Sequence, residues 1–302
     1  MKSKSINILA RVAILVATLI WGSTFVLMKD TVSVMSPSWL LFFRFTVGWM
    51  LLAIIFNKKL KLLNKSYVLG GAVIGLCLFL AYFTQTLGIA DTTPGKNAML
   101  TAGYCVLVPF LMWGVNRKRP DAFNIIAALL CIVGIGMVAL TSNGEKFTIV
   151  PGDTLTLVGA FFYAAHIVAV WTFARDKDMI LVTILQFFYC SVFSLALAFV
   201  TGQELDFANI PLSNIYMLAY LAVFGTTIAL LFQNIGQKYV PPSAASILLS
   251  LESVFGVMFS LIFFADEKKD PIIFIGFALV MIAVIISETK LDFIFKKQDK
   301  SL

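Results

Sequence analysis

Glu252 is the one acid among 16 that falls deep inside a long apolar run; Asp153 and Glu288 lie near the ends of theirs. A charged group carried to the centre of an apolar helix costs about 2.5–3.5 kcal/mol on insertion scales, so its presence asks for a reason. Two readings serve: a proton or substrate site facing other helices, or a structural glutamate held by a neighbour. Arg44 is the only basic residue at comparable depth. Its long side chain could snorkel to the nearer interface, pair for packing or gating, or touch a substrate. His166, the sole histidine, stands one helical turn after Tyr163, where an imidazole can bind, relay a proton or simply pack as a hydrogen-bonded group. Trp21, Tyr82, Tyr104 and Tyr163 sit inside apolar runs rather than at the interfacial positions these residues favour. Aromatic walls with a few polar hooks suit an amphipathic small molecule, and helix packing is their plainer use. Gln85, Asn97, Thr101, Gln233 and Asn234 add neutral donors and acceptors, which also join helices to one another. Lys96 and Asn97 follow Pro94-Gly95, where a helix N-terminus would attract a carboxylate; Lys96 itself reads as a solvated loop charge near a mouth.

These residues need a scaffold, and composition says which solvent it meets. The chain has 302 residues, 60% hydrophobic and only 13% charged, with a mean hydropathy of +0.94. One water-facing domain cannot hide that much apolar surface, so the natural solvent is lipid. The net charge of +7 does not point to nucleic acid, because the basic residues sit in short loops and form no continuous face. Cys77, Cys105, Cys131 and Cys190 fall in apolar stretches without metal-ligand spacing and read as small core residues.

Ten apolar runs emerge, at roughly 12–28, 38–56, 67–87, 97–115, 122–141, 153–173, 179–201, 212–235, 243–265 and 271–288. The expected fold class is an all-α membrane protein of ten transmembrane helices, its first run an uncleaved helix rather than a signal peptide. Loops carry Pro37, Pro94, Pro120, Pro151, Pro211, Pro241-Pro242 and Pro271, and none could hold a soluble domain. Of the 23 Lys and Arg, only Lys29, Lys96, Lys146, Lys268 and Lys269 fall in loops on one side; all the rest but Arg44 collect on the other. That asymmetry places both termini in the cytoplasm, as an even number of spans requires.

The halves echo each other in order. Gln85-x-x-Gly88 recurs as Gln233-x-x-Gly236, Phe43-Arg44-Phe45 as Leu185-Gln186-Phe187, and Leu107-Val108-Pro109-Phe110 near Leu251-Glu252-Ser253-Val254-Phe255, about 145 residues apart. Five spans cross an odd number of times, so the second copy must be inverted. The expected units are 1–146 and 147–302. Inverted repeats suit alternating access around a midplane site.

Walker-type loops, HExxH, paired-aspartate metal motifs and Gly-x-Ser-x-Gly elbows are all missing, so no cofactor is expected. A membrane enzyme would need acids, histidines or metal ligands clustered at one depth. A channel would need a filter sequence or a charged stripe.

Trp21-Gly22-Ser23-Thr24, Arg44, Gly95-Lys96-Asn97-Ala98, Leu107-Val108-Pro109, Leu251-Glu252 and Ala265-Asp266-Glu267 resemble the EamA-type carriers of the drug/metabolite transporter superfamily. The resemblance covers nearly the whole chain. It implies ten spans, export or exchange of metabolites such as amino acids, no nucleotide hydrolysis, and a cavity lined by spans one, three, four, six, eight and nine. Ser253 departs from the proline usual after the span-nine glutamate, which bears on any kink there. The expectation is a carrier of a small polar or amphipathic metabolite in the inner membrane, with Glu252 and then His166 as the candidate groups if a proton is coupled. Substrate and lipid bilayer are the partners expected, nucleic acid is not, and a lipid flippase of the same fold is the alternative.

Overall fold

The computed structural model describes residues 2–117, 119–141, 150–205, 209–263 and 271–289. Every regular element among them is helical: α1 (Lys2–Val32), α2 (Pro37–Ile55), α3 (Lys65–Asp91), α4 (Pro94–Thr101), α5 (Tyr104–Asn116), α6 (Ala122–Thr141), α7 (Pro151–Ala174), α8 (Met179–Val200), α9 (Leu212–Tyr220), α10 (Ala229–Gln237), α11 (Pro242–Leu249), α12 (Leu251–Phe263) and α13 (Pro271–Thr289). A short 3₁₀ turn, Asn57–Leu62, joins α2 to α3. Backbone amides have no partner in hydrocarbon, so an all-helical solution is what the composition demands.

Several of these helices are spans cut in two. α4 runs into α5 across Ala102-Gly103, α11 into α12 across Ser250, and α9 into α10 through a π-helical stretch, Leu221–Ile228. With the pieces rejoined, eight helices are long and apolar enough to cross a membrane, while Ala122–Met137 and Phe274–Ser287 are shorter apolar stretches. They total ten, in two sets of five. The boundaries read from hydropathy differ mainly at α1 and α3, whose helices extend past the apolar core at both ends.

Local chemistry sets the starts. Proline, which lacks an amide to satisfy, opens α2, α4, α7 and α11. Asn64 accepts from the amides of Ser66 and Tyr67 to cap α3, and Asp178 accepts from Ile180 and Leu181 to cap α8.

Packing respects an exchange of halves. α2 lies on α8 and α6 on α13, each span against its own counterpart. α3 packs against α7, and correspondingly the α9–α10 span packs against α1; the α4–α5 span meets the α11–α12 span. α3 and α7 pack extensively, and Gly88 and Gly152 let their backbones touch: a Cβ on Gly88 would come within 2.6 Å of the Gly152 carbonyl oxygen. At the end of the bundle holding the N-terminus, Lys59 and Asp178 pair at 2.5 Å across the halves.

Candidate functional site

The three interrupted spans converge on one cleft. Trp21, Thr24, Phe25 and Met28 of α1, Tyr82 and Gln85 of α3, Tyr104 of α5, Tyr163 and Ile167 of α7, Gln233 of α10, Leu249 of α11 and Glu252 of α12 line about 440 Å³ of empty space. Tyr104 and Glu252 sit at or next to the first residues of the second half-helices, so both breaks open onto this cavity. Helix interruptions at membrane depth are tolerated where they line a cavity, and they present backbone groups to its contents. Span nine breaks at Ser250 without the missing proline; the amide of Ser253 then bonds the Ser250 carbonyl at 3.0 Å, a tightened turn.

Aromatic rings form the walls. Tyr104 stands 6.2 Å from Tyr163, Tyr163 5.4 Å from Tyr82, Tyr82 5.4 Å from Phe45, and Phe45 5.6 Å from Phe187, a row crossing five spans. Polar hooks interrupt it. The Tyr163 hydroxyl donates to Gln85 Oε1 at 2.7 Å, and Gln85 Nε2 donates to Thr101 Oγ1 at 2.9 Å. The indole of Trp21 donates to the Gly225 carbonyl at 2.8 Å, a group inside the π-helical stretch. Bulges of this kind recur at functional sites because they free a carbonyl from the helix ladder.

Seven of the residues singled out by sequence therefore face the cavity: Trp21, Tyr82, Gln85, Tyr104, Tyr163, Gln233 and Glu252. The other five stand behind it. Asn97 donates to Thr156 Oγ1 at 2.7 Å and Thr101 holds Gln85. Asn234 donates to Thr183 Oγ1 at 2.8 Å, and His166 Nε2 bonds Gln186 Oε1 at 3.1 Å. Arg44 does not snorkel. It is fully buried, donates through Nε to Thr226 Oγ1 at 3.0 Å, and lays its guanidinium 5.0 Å above the Tyr82 ring centroid. Among the described residues its two terminal nitrogens have no hydrogen-bond partner, and the Tyr82 face lies against the guanidinium.

Lys96 is not a solvated loop charge either. It is 8% exposed and pairs with Asp153 Oδ2 at 2.5 Å, joining the start of α4 to the start of α7 at the end of the bundle opposite the N-terminus. Asp153 also accepts from Thr92 Oγ1 at 2.9 Å and from the Val150 amide at 3.0 Å. Nearby, Lys29 reaches from α1 to the carbonyls of Ile89 and Ala90. Charged tethers thus run between spans at that end of the bundle.

Sequence reading missed Thr24, Phe25, Met28, Ile167 and Leu249 as wall residues. Their signal was available: 21, 24, 25 and 28 share a helix face, Ile167 follows Tyr163 by one turn, and Leu249 precedes Glu252 by one. Ala265-Asp266-Glu267 lies outside the described residues.

The profile of the EamA-like transporter family matches residues 8–140 and again residues 150–289. The chain belongs to this family. An uncharacterized transporter of Archaeoglobus fulgidus is 32% identical over 278 residues, covering 92% of this chain and 85% of the relative. The uncharacterized transporter YyaM of Bacillus subtilis is 25% identical over 274 residues, 87% of this chain and 88% of the relative. A solved crystal structure superimposes with a TM-score of 0.71 over 93% of this chain and 96% of its own, at 17% identity, a likeness of fold. This EamA-like transporter is thus a multi-pass membrane protein built from two copies of one five-span unit. Its cavity lies between the copies, since α1, α3 and α5 come from the first match and α7, α10, α11 and α12 from the second.

Proposed function

We infer that this transporter carries a small polar or amphipathic metabolite, an amino acid or related compound, out of the cell by alternating access, with the units 1–146 and 147–302 rocking around the central cavity. The observation that supports the reading is the cavity itself: among the described residues five aromatic side chains, two glutamine amides and a single carboxyl group line it, drawn from both halves. Aromatic walls favour an apolar body, Gln85 and Gln233 offer donors and acceptors, and Glu252 suits an amine or a coupling proton. Placement in the inner membrane with both termini cytoplasmic rests on the distribution of Lys and Arg.

The test is counterflow in proteoliposomes loaded with a mixed pool of amino acids and small metabolites, read by mass spectrometry. Saturable exchange of one class of compound establishes the carrier and names its substrate. Absence of any exchange from folded, correctly oriented protein overturns the metabolite reading and moves lipid translocation to the front.

A further inference from the structure

A second cleft lies far from the cavity, on the lipid-facing side where α3 packs against α7. Lys65, Ser66, Leu69, Gly70 and Val73 of α3 meet Phe173 of α7 and Lys177 just beyond it, around about 780 Å³ of empty space. Its two ends differ in chemistry. Toward the middle of the spans it is apolar, and Leu69, Val73 and Phe173 are all substantially exposed along it. Toward the N-terminal end of the bundle it carries two ammonium groups. Lys177 lies across α3 because Gly70 has no side chain: a Cβ there would stand 2.9 Å from Lys177 Nζ. The ammonium donates to the Ser66 carbonyl at 2.8 Å and sits 5.6 Å from the Tyr67 ring centroid. Among the described residues no carboxylate pairs with Lys65 or Lys177. Asp178 is taken by Lys59, and Asp176 is exposed outside the cleft lining. Burial pushes the Lys177 ammonium below the ordinary lysine value, the condition an incoming anion relieves.

An apolar groove along two membrane-spanning helices, ending in two unpaired cations at the basic end of the bundle, has the polarity of a phospholipid with a net negative headgroup. We propose that an anionic phospholipid occupies the α3–α7 cleft, with its phosphate between Lys65 and Lys177 and an acyl chain along Leu69, Val73 and Phe173. Basic pockets between spans at the cytoplasmic level recognise headgroups by this combination. The occupant straddles the two halves, because α3 belongs to the first family match and α7 to the second.

The purified protein in neutral detergent is titrated with phosphatidylglycerol, phosphatidylcholine or inorganic phosphate, and followed by thermal melting and native mass spectrometry. The expected result is saturable binding and a rise in Tm with phosphatidylglycerol alone. Lys65→Gln with Lys177→Gln weakens that binding roughly 30-fold, two near-surface charges being removed. Val73→Trp, which fills the apolar half, weakens it as well, and the melting temperature without added lipid certifies the fold of each variant. Equal stabilisation by phosphatidylcholine, full stabilisation by phosphate alone, or unchanged phosphatidylglycerol binding in the folded double variant each overturn the proposal.

Discussion

Single residues in this bundle divide by what answers their polarity. Gln85 is held on both sides, by Tyr163 and Thr101, so its amide is oriented before any ligand arrives. Glu252 is the one carboxyl in the cavity wall. If it carries the coupling proton, Glu252→Gln leaves insertion and melting intact but removes the pH dependence of counterflow; a wild-type pH profile in the variant sinks that role. Asp153 is bound in another way, by Lys96, Thr92 and the Val150 amide together. Deleting one member of a buried pair strands the other, so Asp153→Ala should cost about 3–5 kcal/mol by thermal or denaturant unfolding. Lys96→Met combined with Asp153→Leu should recover much of the loss. Arg44 shows where residue-level reading stops. Its depth was legible from the run around it, but a snorkelling arginine and one turned inward over Tyr82 have the same sequence, and only the neighbouring spans choose between them.

Among helices, the interruptions matter most. Proline explains the starts of α4 and α11, and both were visible as loop punctuation. The break at Ala102-Gly103 and the π-helical stretch Leu221–Ile228 each have a glycine, Gly103 and Gly225, whereas the break at Ser250 carries no breaker. Within the π-helical stretch Trp21 takes the Gly225 carbonyl, and Thr227 Oγ1 bonds back to the Ala222 carbonyl at 2.8 Å. Helix caps were more legible. Asp178 is partly buried, which works against its charge, yet Lys59 and the Leu181 and Ile180 amides hold its carboxyl below the ordinary carboxylate range. A depressed folded value means the stabilisation is present at neutral pH and is lost as pH falls through that value. Asp178→Ala should therefore cost about 1 kcal/mol near pH 7. The gap between variant and wild type should close on acidification to below about pH 4, the ordinary range of an aspartate. Melting curves of both proteins across that range check it, and a gap that persists at low pH means the cap is not electrostatic.

The whole molecule is two five-helix units related by exchange of halves, and here sequence reading reached furthest. Ten spans and a doubled motif order were enough to require inversion, because an odd unit cannot repeat right side up. What the sequence could not supply was which counterparts touch; α2 on α8 is joined by Thr46 and Ser191 at 2.6 Å and by Phe45 against Phe187, the latter pair matched in the repeat but with no sign in the sequence that matched positions meet. Sidedness is open to direct measurement. With the native cysteines replaced, Lys61→Cys should react with an impermeant maleimide only from the cytoplasmic face and Ser33→Cys only from outside; the reverse pattern overturns the orientation. The Lys96–Asp153 tether has an electrical consequence. Its partners have opposite charges of equal size, so parting them sideways, in the plane of the membrane, moves little net charge through the membrane field. A lone elementary charge crossing the full field would feel about 2.3 kcal/mol per 100 mV. A pair whose members stay level in the membrane feels close to none, so this tether by itself adds little voltage dependence to the opening of that end, in contrast to the ammonium of Lys29 beside it, which bonds neutral carbonyls.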